Sequence, residues 1–509
     1  MAGGIVLGTR GGSSKPHAAP PPTPSPTATP QSGGVLRILS ANRYPTLDPA
    51  ALVTPRERDL GRLLYRTLMT YGSDGRSLEP DLATGPGTPS LGGRAWSYEL
   101  EPGARYADGT PVVASDVVRG IRRSLDRGGL PPGVIASVAA PDPHTVVVRF
   151  PKPFVDADSV VALTGAAPVP ASGIRATGPY QLAALSGASF RLTRNPHWQG
   201  SATGPDEVDA ELGLDGATID QRIAAGVGGD AFAVTDKAAL DLVPASRKRV
   251  LTGLDGSVLF AALDMRRGPF ADIKVRQALE VAFPLAQVRA AAGGSEVGQD
   301  ATDVLPPGFQ GHQDLDLYGG KARKHEGDPA RAKQMLSDVG HPTGVDISVS
   351  VPRSAAAVGD ALRTGLAPAG FRVTVTAVPD ASYYATVGVA ARQADLVLYA
   401  WSPDWLTPSA VLPQLFTCAA LTPTANHNVA QHCDRGFDQQ LDLALATSDR
   451  DERAAMWQAL DRRLVEEALV VPRSFGVSTA LVGPGVRGAK AALAFGGMVD
   501  LLRVTLAQK

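Results

Sequence analysis

The sequence predicts a mixed α/β protein built in more than one lobe. Three observations carry that expectation: the chain has 509 residues, strand-like and helix-like segments alternate without a fixed repeat, and 44% of the residues are hydrophobic. At roughly 100–200 residues per domain, the length corresponds to about three folded units. The 49 basic residues nearly balance the 50 acidic ones. A nucleic-acid binder or a surface-bound membrane protein would show a basic excess, so both classes are disfavoured. No apolar run approaches the ~20 residues of a membrane-spanning helix. Two cysteines in a chain of this size also exclude a disulfide-dense miniprotein.

Residues 1–33 stand apart. Between Ser13 and Ser32 seven prolines interrupt a Ser-, Thr- and Ala-rich stretch. They fix φ and remove backbone donors, so an extended, disordered tether is expected. Ahead of it, Ala2–Leu7 is too short for a signal-peptide core and has no Lys or Arg before it. It could be the remnant of an export signal, with no Cys nearby to carry a lipid. Such a stalk is common between a membrane anchor and an extracellular domain, and also occurs as a plain tail.

The elements follow in order. Val35–Ser40 reads as a buried strand. Arg56–Leu68 sets Leu60, Leu63, Leu64 and Leu68 at helical spacing. Trp96–Leu100 and Thr145–Phe150 alternate as strands. Between them Ser115–Leu125 reads as a helix, with Ser115 as N-cap and Asp116 near the positive end. Val258–Asp264 is a strand, Val275–Phe283 a helix. Pro329–Val339 and Ala355–Leu366 are helices, the second followed by the strand Arg372–Val378. Asp395–Ala400 is a strand leading into Trp401-Ser402-Pro403-Asp404-Trp405. Asp451–Glu467 is a long helix with Met456, Leu460 and Leu464 on one face.

Catalytic signatures are missing from this pattern. No GxSxG, SxxK, HExxH or phosphate-binding GxxxxGK[ST] occurs. One GxGxxG, at Gly483, Gly485 and Gly488, contains Pro484 and lies close to the C-terminus, so it reads as a loop. The only cysteines, Cys418 and Cys433, flank a polar stretch. In an exported protein they suggest one disulfide, worth ~3 kcal/mol in the chain-entropy model. Free thiols are the alternative. A metal site with His427 and His432 fits no standard zinc spacing.

Longer motifs point to a family. Leu47-Asp48-Pro49 is followed by Leu64-Tyr65-Arg66-Thr67-Leu68 and by Leu78-Glu79-Pro80-Asp81-Leu82-Ala83. Tyr106-Ala107-Asp108-Gly109-Thr110-Pro111 then precedes Ala114-Ser115-Asp116-Val117-Val118. Thr177-Gly178-Pro179-Tyr180, Arg194-Asn195-Pro196-His197-Trp198, Pro269–Leu279, Asp328–Leu336 and Trp401–Pro408 continue in order. This series resembles the extracellular solute-binding proteins, family 5, the peptide- and nickel-binding components of ABC importers. Most of these motifs also have a scaffold reading. Asp108–Pro111 is good turn chemistry, Gly178-Pro179-Tyr180 is a turn into a strand, and Arg276 suits a structural ion pair.

The resemblance implies a two-lobed flytrap of the type II-like periplasmic-binding-protein fold. Lobe I would take residues 34–260 and 472–509, with an extra subdomain at 66–170. Lobe II would take 261–471, and two crossing strands would form the hinge. It further implies a monomeric, extracytoplasmic, membrane-tethered protein without enzymatic activity or cofactor. Its partners would be an oligopeptide or dipeptide ligand, a membrane permease and the ATPase that drives it. Asp404 would receive the ligand's α-ammonium, with Trp401 and Trp405 as flat walls and Arg353 as a seat for the carboxylate. Thr407 stands where the family pattern has a second acidic residue. The rival readings on the same fold are a signalling-peptide receptor, a binder of a non-peptide metabolite, and a nickel or metallophore binder using His427 or His432.

Overall fold

The structure, a computed structural model, describes residues 33–200, 204–225, 231–234, 250–294 and 298–507. The proline-rich tether, all but Gly33, lies outside the described residues. Ten of the eleven strands of the main sheet follow in chain order: β1 (Val35–Ser40), β2 (Tyr180–Leu185), β3 (Ser189–Arg194), β4 (Glu207–Leu212), β5 (Ala231–Val234), β6 (Val250–Leu263), β7 (Val345–Pro352), β8 (Phe371–Val378), β9 (Leu396–Trp401) and β10 (Val470–Val482). Their spatial order is β8-β7-β9-β6-β10-β5-β1-β4-β3-β2, and the short strand Gly298–Asp300 pairs with β10 off this path.

Two long strands tie the halves of this sheet together. β6 and β10 have 14 and 13 residues and run antiparallel. The C-terminal end of β10 pairs with β5, so it belongs to the half that holds β1 to β4. Residues 258–263 of β6 pair instead with β9, in the half that holds β7 and β8. The register between β6 and β10 breaks between Leu254 and Val258 and again between Leu259 and Phe260. Extra residues of this kind bend a strand and re-aim its side chains. At the first break only glycine fits opposite: a Cβ on Gly476 would come within 2.2 Å of Ser257 Oγ and 2.4 Å of Asp255 Oδ1.

Periodicity explains each half. In β7 the residues Val345, Ile347, Val349 and Val351 alternate into the core, the period-2 pattern of a strand. The helix Ala356–Leu366 connects β7 to its parallel neighbour β8 and buries Val358, Leu362 and Leu366. A separate four-stranded sheet, in the order Thr88–Ser90, Ala95–Glu99, Thr145–Arg149, Ser137–Ala139, stands with the helix Ala114–Arg127. Its core is continuous with Phe260, Trp405, Phe416 and Trp457 of the later chain. Among the described residues, no helix is long and apolar enough to cross a membrane.

Three local expectations change. The first helix runs Pro55–Leu64, not on to Leu68. Its last carbonyl, on Leu64, accepts hydrogen bonds from the Thr177 and Gly178 N–H groups, which satisfies the helix end and stops it. A Cβ on Gly178 would sit 2.9 Å from the Leu63 carbonyl oxygen, so the glycine permits this close approach. In the second helix the N-cap is Val113 rather than Ser115, because Asp116 reaches back to accept from the Val113 N–H at 3.3 Å. Among the described residues Arg276 makes no ion pair; it donates to the carbonyls of Phe270 and Glu467. The GxGxxG segment is a turn running into the two-residue strand Val486–Arg487 beyond β10, and among the described residues only short 3-10 helices, no α-helix, follow it.

Cys418 and Cys433 form a disulfide, with Cα atoms 4.4 Å apart. Thiol titration of denatured, unreduced protein should find essentially no free thiol. Replacing both cysteines by Ala should lower unfolding free energy by ~3 kcal/mol, read as a shifted urea midpoint. Two titratable thiols in natively exported protein would contradict the pairing.

Candidate functional site

The site begins where β9 leaves the sheet. Leu396–Tyr399 are buried, Ala400 and Trp401 half-buried, and Pro403 cannot continue the ladder. The chain then crosses toward the helix Pro55–Leu64, which a capping box of Thr54 and Glu57 starts and Pro55 pre-organises. Arg58 of that helix is 8% exposed and meets Asp404 with two donors. Its Nη1 donates to the Asp404 carbonyl oxygen at 2.6 Å and its Nη2 to Oδ1 at 2.5 Å. The Asp404 side chain keeps 36% exposure, and its Oδ2 accepts no hydrogen bond from the described residues.

The residues after Asp404 form a polar seam with the earlier part of the chain. Thr407 Oγ1 and Ser409 Oγ both donate to Asp156 Oδ2, at 2.8 and 2.7 Å. That contact accounts for the departure at Thr407: a carboxylate there would face Asp156 and repel it. The Leu406 N–H donates to Tyr71 Oη at 3.4 Å. Trp405 is only 3% exposed, lies edge-on to Phe154 at 6.2 Å, and donates its indole N–H to Ser409 Oγ at 2.8 Å. It is packed in the seam and offers no free face.

Trp401 differs. It is half-buried, donates to the Ala410 carbonyl at 2.8 Å, and meets His427 at 5.2 Å between ring centroids. His427 Nδ1 lies 2.7 Å from the Tyr399 hydroxyl. Burial holds the His427 pKa below its ordinary value, favouring the neutral ring. Tyr384, 50% exposed, stands edge-on to both Tyr399 and Tyr383, at 5.3 and 5.4 Å. An aromatic wall thus runs from Tyr383 to Trp401.

Arg353 is exposed, just past the end of β7. Because β7 and β9 run parallel with Val349 opposite Leu396, Arg353 and Trp401 emerge at the same edge of the sheet. That carboxyl edge is where open α/β sheets place ligands. No hydrogen bond or ion pair joins Arg353 to Asp404. His432 is buried, with Nδ1 2.6 Å from the Phe416 carbonyl oxygen. Among the described residues, no group of three or more His, Cys, Asp or Glu side chains is placed to hold a metal. Sequence reasoning missed Arg58, Asp156 and Tyr384. The one available signal was Arg58 and Asp59 lying within a helical stripe otherwise made of leucines.

A chain whose main sheet has two halves tied by long crossing strands, with an Arg58–Asp404 ion pair joining its first helix to the segment after β9, has the architecture of a solute-binding protein. The chain belongs to the bacterial extracellular solute-binding proteins, family 5, whose middle region it matches over residues 77–422. It is similar to the solved clavulanic acid biosynthesis oligopeptide binding protein 2, with a TM-score of 0.87 and 30% identity over 94% of this chain and 97% of that one. A dipeptide binding protein from Pseudoalteromonas, solved in complex with Met-Leu, shares the fold at a TM-score of 0.71 and 19% identity, covering 93% of this chain and all of the other. The glutathione-binding protein GsiB of Escherichia coli (strain K12) is 22% identical over 86% of this chain and 88% of its own length. The family is one of binding proteins, not enzymes, and its two-lobed fold is the fold of this chain.

Proposed function

We propose that this protein is the extracytoplasmic solute-binding component of an ABC importer and captures short peptides between its lobes. One observation carries the reading. Asp404 stands at the interlobe seam with one carboxylate oxygen held by Arg58 and the other free to accept a ligand ammonium. A charge-assisted hydrogen bond of this kind is worth ~1.5–3 kcal/mol. Trp401 and the exposed Tyr384 supply apolar wall beside it. The relatives named for oligopeptides, dipeptides and glutathione support a peptide-type ligand.

The mechanism is a shift of population between open and closed forms. Residues 34–260 with 472–509 form one body and 261–471 the other, bending at β6 and β10, with residues 66–170 riding with the first. The contacts of Phe154 with Trp405 and of Asp156 with Thr407 and Ser409 cross between the two bodies and part on opening. A ligand stabilises closure only by its differential affinity for the two states. The closed form docks on a permease driven by its ATPase subunits and releases the solute unchanged. The protein acts as a monomer held near the membrane by its proline-rich N-terminal segment.

Calorimetry against a dipeptide and tripeptide set, free amino acids and Ni²⁺ tests this assignment. Saturable binding of peptides at one site per chain, with none of Ni²⁺, is the expected result. Binding of Ni²⁺ alone would replace peptide capture with the metal reading.

A further inference from the structure

Arg473 is the one charged side chain of the crossing strands that the scaffold does not explain. It lies in β10 at the second register break, between Pro472, opposite Phe260, and Ser474, opposite Leu259. It is therefore the extra residue of a bulge, a position that commonly re-aims a side chain beside a binding site. Its backbone carbonyl is used, accepting from the Ala301 N–H at 3.4 Å. Its side chain is not. Arg473 is 7% exposed, its Nε has no hydrogen-bond partner, and among the described residues no carboxylate or carbonyl pairs with its guanidinium. Burial pushes its pKa down to about 10, with only the Tyr383 phenol exerting an opposing electrostatic effect. That phenol shares its single O–H between the carbonyls of Leu398 and Ser350, at 2.6 and 3.0 Å, and as a neutral group supplies no counter-charge.

A buried cation without a counter-charge is costly, and proteins tolerate one where a partner arrives from outside. The surroundings show where that partner would lie. Tyr383 begins the aromatic wall that continues through Tyr384, Tyr399 and His427 to Trp401. Val258 of β6 pairs with Trp401 on one side and with Phe475 on the other, so Arg473 and the Trp401–Asp404 segment belong to neighbouring rows of one sheet. The wall therefore has a carboxylate, Asp404, beyond one end and an unpaired guanidinium beside the other. Arg353, by contrast, is solvent-exposed and feels the Asp380 carboxylate, whose pKa is lowered chiefly by its hydrogen bonds from Ser354 and to a smaller extent by Arg353.

We infer that Arg473 anchors the carboxylate end of the bound solute, so that the site selects zwitterionic ligands with the ammonium at Asp404 and the carboxylate at the hinge. This rests on the peptide-capture reading for the ligand class, and on the geometry of the hinge strand for the residue. The planar guanidinium fork suits two-point binding of a carboxylate, which a lysine ammonium would grip less specifically.

The test uses the full chain and two probes. A tripeptide retained from a mixed pool is prepared as free acid and as C-terminal amide, and both are titrated into wild type, Arg473→Met, Arg473→Lys and Arg353→Met. Wild type should prefer the acid by roughly 10- to 150-fold. Arg473→Met should lose that preference while keeping its affinity for the amide, Arg473→Lys should retain part of it, and Arg353→Met all of it. In parallel, N-acetylglycine and N-acetylglycinamide are compared by thermal shift at equal high millimolar concentration. The acid should stabilise wild type more than the amide does, and Arg473→Met should show no difference. Loss of acid preference in Arg353→Met alone, or equal binding of acid and amide by wild type, overturns the assignment of Arg473. If no peptide is retained, the peptide reading fails, and the N-acetylglycine comparison still decides whether Arg473 is a carboxylate anchor. Arg473→Met should also fold with an undiminished melting temperature, because it removes an unpaired buried charge; a fall of the kind seen on breaking a structural pair would contradict the inference.

Discussion

Asp404→Asn should weaken the binding of a peptide with a free N-terminus by about 10- to 150-fold while leaving the protein folded. The substitution keeps the shape and an acceptor for Arg58 Nη2, and the second Arg58 donor still reaches the backbone carbonyl of residue 404. What disappears is the negative charge. Arg58 is buried, so losing its counter-charge should itself lower stability: the hydrogen bonds from the guanidinium remain, but the ion-pair attraction is gone. Affinity could then fall because closure is weakened rather than because the ammonium contact is gone. An N-acetylated peptide separates the two causes in a double-mutant cycle. If Asp404 binds the ammonium, acetylation should cost wild type its affinity and cost the variant little. If Asp404 only holds the lobes together, the variant should lose the same factor for both peptides. Equal affinity of wild type for free and acetylated peptides would end the ammonium assignment.

Trp405→Ala should cost about 3–5 kcal/mol of unfolding free energy, the range for removing a large aromatic side chain from a well-packed interior. The indole is almost fully buried beside Phe154, and its N–H is satisfied by Ser409, which in turn bonds Asp156. Truncation therefore opens a cavity and loosens the polar seam. A ligand wall would behave differently: an exposed tryptophan face contributes ~0.5–2 kcal/mol to binding and little to folding. Urea denaturation decides between them. A shift in stability below about 1 kcal/mol, with affinity reduced, would return Trp405 to the ligand. Trp401, half-buried and held by its N–H and an edge contact with His427, should show the opposite balance.

These two tryptophans mark where the sequence stopped being informative. Both sit in one five-residue segment, and both match the family's cleft motif. Only the packing of Phe154, 251 positions before Trp405 in the chain, separates core from wall. Strands and helices were readable because their signals are local: Val345 to Val351 alternate with period two, and Leu60, Leu63 and Leu64 fall on one helical face. Element ends were less readable, since they depend on distant partners. Leu68 continues the helical spacing, yet the helix ends at Leu64 because Thr177 and Gly178 cap its carbonyl. The site divides in the same way. Asp404 could be singled out from its motif, whereas Arg58 lies 346 positions away and carries no motif of its own. Thr407 looked like an anomaly until Asp156 was seen beside it. Arg473 gave no signal in sequence, because its distinguishing property is a lack of partners in space.

Native mass spectrometry of the full chain incubated with a mixed pool of dipeptides and tripeptides tests peptide capture most directly. A binding protein that closes on its ligand and does no chemistry should retain one peptide per chain. After hours of incubation the peptide should be released on mild unfolding at its original mass. Retention of no peptide, or recovery of shortened products, would contradict reversible peptide capture between the lobes.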